Sequence, residues 1–148
     1  MTNVTSANGV HFEVVWHDDD VVSVRVSASN GAFSGVADAY VGSDGLVLVA
    51  ENLNGFPVSP SDRREVTVGA FGEGSAGGGV TLRFACTDGS GHARVEVILE
   101  GDQGSGGDHP ETVHLFIPIE AAAVDRFVLG VRRLATTAKG VASLDAAV

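Results

Sequence analysis

The sequence predicts an α+β fold built mainly from antiparallel β-structure. It calls for about seven short strands in a sheet or sandwich, a short helix after the third strand, and a C-terminal amphipathic helix packed on the sheet. Three observations carry that prediction. Apolar and polar residues alternate through run after run, as in "VHFEVVW" and "VVSVRVSAS", which marks half-buried strands. The runs are joined by short connections such as "NG" at Asn30-Gly31 and "DGSG" at Asp88–Gly91, and tight connections of that kind imply antiparallel pairing. Near the end the period changes: Val124, Phe127, Val128, Val131 and Leu134 recur at helical spacing, forming one apolar stripe.

The first strand spans Val10–Trp16. Strict alternation turns Val10, Phe12, Val14 and Trp16 one way and His11, Glu13 and Val15 the other. In the second, Val21–Ser29, the apolar set Val22, Val24, Val26 and Ala28 opposes Ser23, Arg25, Ser27 and Ser29. Asn30-Gly31 suits a hairpin turn because both residues tolerate positive φ. A third strand follows through "AFSGVADAYVG". The valines of "SDGLVLVAENLNGFP" suit a strand, but Leu46, Val49, Ala50 and Leu53 share one helical face. Ser43 or Asp44 can cap the start of a short helix, and Gly55 with Pro57 can end it. After the polar loop "VSPSDRR", Arg64–Phe71 reads as the fourth strand.

The glycine-rich "GEGSAGGG" is a loop. Then "VTLRFACTD", "GHARVEVILEG" and "TVHLFIPI" make three more strands, the last two joined by "DQGSGGDHPE". The final helix lies in "IEAAAVDRFVLGVRRLA", with Asp125, Arg126, Arg132 and Arg133 off its apolar stripe. Arg132 and Arg133 near its end suit the helix dipole. The stripe is expected to pack on Val95-Val97-Leu99 and Val113-Leu115-Ile117, with Phe127 as the central contact. The tail "TTAKGVASLDAAV" offers little to bury and is expected to fray, as are the first residues. The expectation is a single domain over 1–148 with an ordered core at about 10–135.

Composition narrows the function classes. The chain has 148 residues, 44% of them hydrophobic and 19% charged, a globular balance. Its net charge of −10 argues against nucleic acid and against an anionic membrane surface, both of which call for clustered Lys and Arg. The same charge can steer a basic partner. Cys86 is the single cysteine, which fits a reducing compartment. It alternates with Val80, Leu82 and Phe84 and reads as a small core hydrophobe. No apolar stretch reaches the roughly 20 residues of a membrane span, and "MTNVTSANGV" lacks the features of a secretory signal. The expected location is the cytoplasm.

The densest ionisable cluster is His17-Asp18-Asp19-Asp20. Calcium loops place carboxylates at alternate positions around a glycine, whereas adjacent aspartates splay apart. Lying between two strands, these four residues read as a solvated turn. Asp108 and His109 would have to converge on them to make a zinc site. "GEGSAGGG" lacks the Lys-Ser/Thr ending of a phosphate loop, and neither a nucleophile elbow nor a His-Glu-x-x-His motif is present. Glu96 and Glu100 would stand roughly 13 Å apart on one strand face, beyond the glycosidase spacings. No catalytic residue, metal or cofactor is therefore expected. The outward positions of the strands carry His11, Glu13, Arg25, Arg83, His92, Arg94, Glu96, Glu100 and His114. A wet sheet face accounts for them, and a sign-mixed recognition surface is the functional alternative.

The succession "GAFSGVADAYV", "LVLVAENLNGFP", "VTVGAFG", "VTLRFACTDGSGHARVEVIL" and "VHLFIPIEAAAVDRFVLGVRRL" resembles a family of small bacterial proteins. That family has no assigned chemistry, and some members look like WapI-type immunity proteins paired with WapA-type secreted toxins. The resemblance runs from about Phe12 to Leu134 and rests on Phe33, Gly35, Tyr40, Leu53, Phe56, Gly91, His92 and Phe127, nearly all structural. It implies a non-enzymatic binding protein, and with the net charge it suggests a basic protein toxin as partner. The candidate interaction surface is Asp18, Asp19, Asp20, Arg83, Arg94, Glu96, Asp108 and His114, with Asp102 beside it. Two alternatives stay open. One is a small-molecule or enzymatic site between sheet and helix, lined by His92, Arg94 and His114. The other is a self-associating module, since open sheet edges can pair into a homodimer.

Overall fold

The alternating runs form strands where the pattern places them, and their apolar faces meet in one core. The computed structural model describes residues 7–72, 77–101 and 111–148. In chain order the elements are β1 (Gly9–His17), β2 (Val21–Ser29), β3 (Ser34–Gly42), α1 (Gly45–Leu53), β4 (Arg63–Gly69), β5 (Gly79–Cys86), β6 (His92–Glu100), β7 (Thr112–Glu120), α2 (Ala121–Thr137) and β8 (Val141–Asp145). All pairing is antiparallel, in two four-stranded sheets. The first runs β3-β2-β1-β8 and the second β4-β5-β6-β7. The expected α+β class, the short helix after the third strand and the C-terminal helix are all present.

Both sheets and both helices feed one hydrophobic cluster, which includes Phe12, Val24, Val26, Leu82, Phe84, Val97, Ile117 and Phe127. β3 passes close to every strand of the second sheet. Gly35 permits that approach: a Cβ there would lie 2.8 Å from Val113 Cγ2 and 3.3 Å from Leu99 Cδ1. The turns use side chains as backbone partners. Asn30 Oδ1 accepts from Ala32 N and Phe33 N at 2.9 Å each, so the β2–β3 connection is a four-residue Asn-capped loop and not a two-residue hairpin. Asn30 Nδ2 also donates to Phe116 O at 3.0 Å, and Ala147 N donates to Pro118 O at 2.8 Å. These contacts cover carbonyls on the outer edge of β7, which would otherwise offer pairing groups.

Four expectations are corrected. The tail does not fray: Val141–Asp145 pairs with β1, and Ala142 and Leu144 are buried. Two small apolar residues suffice because β1 supplies the ladder. Among the described residues there are eight strands, in line with the expected seven or so. Secondly, α2 does not pack mainly on β6 and β7. Its close neighbours are β8 and α1, and the Phe127 ring meets Phe12 of the first sheet edge-on at 5.2 Å. The return of β8 to β1 draws the helix to that side, and Gly130 permits it, since a Cβ there would lie 2.9 Å from the Ala142 Cβ. Thirdly, Asp44 holds the N-cap position of α1 without a side-chain cap bond. Finally, Trp16 does not join Phe12 in the core; it is 51% exposed. Among the described residues, no helix is long and apolar enough to cross a membrane.

Candidate functional site

The exposure of Trp16 has a local cause. Val14 pairs with Val24, but Trp16 pairs with Ser23, so Val15 is an extra residue in β1. Such a bulge reverses which face the following residues take. Beyond it Trp16 shares the solvent face with Ser23, and Tyr40 flanks Ser23 from β3. The only tryptophan and only tyrosine of the chain thus stand on either side of a serine. Tyr40 is 48% exposed, while Ser23 between them is 8% exposed. In the next row Glu13, Arg25 and Asp38 are cross-strand neighbours. Arg25 Nε and Nη2 donate to Asp38 Oδ1 and Oδ2 at 2.9 and 3.1 Å, and that carboxylate raises the Arg25 pKa.

The aromatic row adjoins the His17–Asp20 connection. Asp18 Oδ1 accepts from Asp20 N and Val21 N, each at 2.8 Å, and Asp18 N donates to Val21 O at 3.0 Å. Asp18 is a turn residue. The Asp20 and Val21 backbone donors hold its pKa below the ordinary carboxylate value. The carboxylates of Asp19 and Asp20 make no hydrogen bond among the described residues and are exposed. The end of the first sheet therefore combines two half-exposed aromatic rings with two unspent negative charges.

The second sheet turns a different surface outward. Glu65, Arg83 and Glu96 lie in register across β4, β5 and β6. Arg83 donates from Nε to Glu65 Oε2 at 3.2 Å and lies 3.5 Å from Glu96 through Nη1. Glu96 Oε2 also meets His114 Nε2 at 2.7 Å. Arg94 stands 5.5 Å over the Phe116 ring. His92 turns to its own hairpin, Nδ1 meeting Asp88 Oδ2 at 2.6 Å. The Asp88 carboxyl is lowered first by the Ser90 N–H and then by His92.

Of the residues nominated from sequence, Arg83, Glu96 and His114 form one bonded chain with Arg94 beside it. Asp18, Asp19 and Asp20 sit at the turn of the other sheet. Asp108, with Asp102 and His109, lies outside the described residues. His92, Arg94 and His114 do not line a cleft between sheet and helix. They occupy outward positions that alternate with the buried Ala93, Val95 and Val97 of β6 and Leu115 of β7.

Sequence reasoning missed the aromatic row because strict alternation sends Trp16 inward. The signal was the unbroken apolar run Val14-Val15-Trp16, which breaks period two just before a turn. It also missed a latch at the end of α1. Arg64 Nη1 donates to the carbonyls of Asn52 and Asn54 at 2.7 and 3.2 Å, while Nε and Nη2 grip Asp62 at 2.9 and 2.8 Å. Arg64 and the Val58 N–H hold the Asp62 carboxyl below its ordinary pKa.

Cys86 points to the core side and its Sγ donates to Ser59 O at 3.8 Å. Among the described residues, no group of three or more His, Cys, Asp or Glu side chains is placed to hold a metal ion. What the outer faces offer is recognition chemistry: flat aromatic area, paired charge rows and free carboxylates. Compared with protein-family models, curated proteins and solved structures, the chain matches none.

Proposed function

We infer that this chain is a non-enzymatic protein-binding domain for a basic partner, acting as an immunity protein does when it neutralises a toxin. The binding surface is the end of the first sheet: Trp16, Ser23 and Tyr40 with Asp19 and Asp20. One observation carries this reading, the pair of half-exposed aromatic rings flanking Ser23 beside an acidic turn. Tryptophan and tyrosine are enriched among the residues that dominate interface energetics. Their ring faces attract Lys and Arg side chains, and nearby carboxylates add to that preference. The charge balance of −10 increases the encounter rate with a basic protein. The second sheet is the weaker candidate because Arg83 already answers both Glu65 and Glu96.

Affinity capture from cells of the source organism tests the reading. Wild-type protein is expected to retain a basic protein that the double variant Trp16→Ala, Tyr40→Ala loses, while Phe116→Ala on the other face retains it. Equal recovery by the aromatic double variant would place the binding surface elsewhere. Recovery of no protein by the wild type would remove the reading.

A further inference from the structure

We propose that the outer face of the second sheet holds a phosphate-type oxyanion between Arg63 and Arg94. The two arginines occupy one cross-strand row, Arg63 on β4, Ala85 on β5 and Arg94 on β6. Two strand spacings separate them, about 10 Å between backbones, and only the methyl group of Ala85 stands between. The result is a depression of about 330 Å³, at the lower end of the roughly 300–1,000 Å³ usual for ligand sites. Arg63, Arg83, Arg94, Glu65 and Glu96 line it.

The charges within it do not cancel. Arg83 is matched with Glu65 and Glu96 in the neighbouring row. Arg63 and Arg94 have no carboxylate partner among the described residues; Arg94 has only the Phe116 ring. With only 9 Lys and Arg against 19 Asp and Glu in the chain, two arginines that line one depression with no carboxylate partner among the described residues are unusual on charge grounds. Guanidinium groups match the fork of a phosphate better than an ammonium does, and the size of the depression leaves room for a small phosphorylated molecule. The overall negative charge opposes the approach of an anion, but at physiological ionic strength that field is screened over about 8 Å. This site is separate from the aromatic surface and does not depend on the protein-binding reading.

NMR titration with inorganic phosphate at constant ionic strength tests it. Phosphate is expected to shift the Ala85 amide and the side-chain Nε–H signals of Arg63 and Arg94, saturably. Arg63→Gln and Arg94→Gln should each weaken binding at least tenfold, whereas Arg132→Gln on α2 leaves it unchanged. These substitutions are at exposed positions, so the folded spectrum should persist. Tighter binding of phenyl phosphate would assign the site to a phosphate ester, and equal binding to the free ion; both support the oxyanion site. Shifts spread evenly over all arginines, or unchanged in both variants, would overturn it.

Discussion

At the scale of the residue, one inserted amino acid decides which aromatic surface the protein presents. Val15 shifts the β1 register, and Trp16 exchanges the core for solvent. Folded protein should therefore show tryptophan emission that acrylamide quenches readily; shielded, blue-shifted emission would place Trp16 back in the core. Nothing in period-two reading separates a regular strand from a bulged one, so this residue was legible only as a broken alternation. The acidic turn was easier to read, because Asp is a turn former wherever it stands between strands. Asp19→Ala should leave the unfolding free energy from chemical denaturation within about 0.5 kcal/mol of wild type, the usual range for a surface site. Asp62 behaves differently. Its native pKa is lowered by the Arg64 guanidinium and the Val58 N–H. The ionised carboxylate therefore stabilises the fold fully above its ordinary value of 3.8, and that stabilisation is lost as the pH falls through the lower native value. Between neutral pH and acid below 3.8, wild type should lose more stability than Asp62→Asn. Equal losses would show that the latch does not couple to folding.

At the scale of the element, strands and helices were legible wherever local pattern suffices, as in the alternation of β2 and β6 and the apolar stripe of α2. Partners joined by a short connection were legible too, as in β2–β3 and β5–β6; partners far apart in the sequence were not. β8 binds β1 across most of the chain, His11 standing opposite Ser143, and no local signal encodes a pairing at that separation. That missed strand is also why α2 was expected on β6 and β7 although it lies along β8 and α1. Phe127→Ala removes the ring that meets Phe12 and should destabilise the protein by about 3–5 kcal/mol, as phenylalanine truncations in cores do. A wild-type denaturation midpoint would mean the helix is not packed there. Gly130→Val tests the helix–β8 contact: bulk at a point 2.9 Å from Ala142 must push the two elements apart, and the midpoint should fall. An unchanged midpoint would mean that α2 and β8 are not so closely apposed.

At the scale of the whole molecule, two outer faces point away from a shared core and carry different chemistry. One presents aromatic rings and two carboxylates without a hydrogen bond among the described residues, the other paired charges with two arginines that have no carboxylate partner among those residues. Trp16 apart, the sequence showed which strand residues face outward but not which of them share a face, because that depends on how the strands divide between two sheets. The central claim is that a basic partner docks on the aromatic end of the first sheet. The measurement that tests it most directly is site-specific photo-crosslinking in living cells, with the photoreactive residue at position 16, 40 or 116 in turn. Positions 16 and 40 should yield the same adduct with a basic protein, and position 116 should yield none of it. An adduct with that protein from position 116 alone, or no adduct from 16 and 40, would contradict the account.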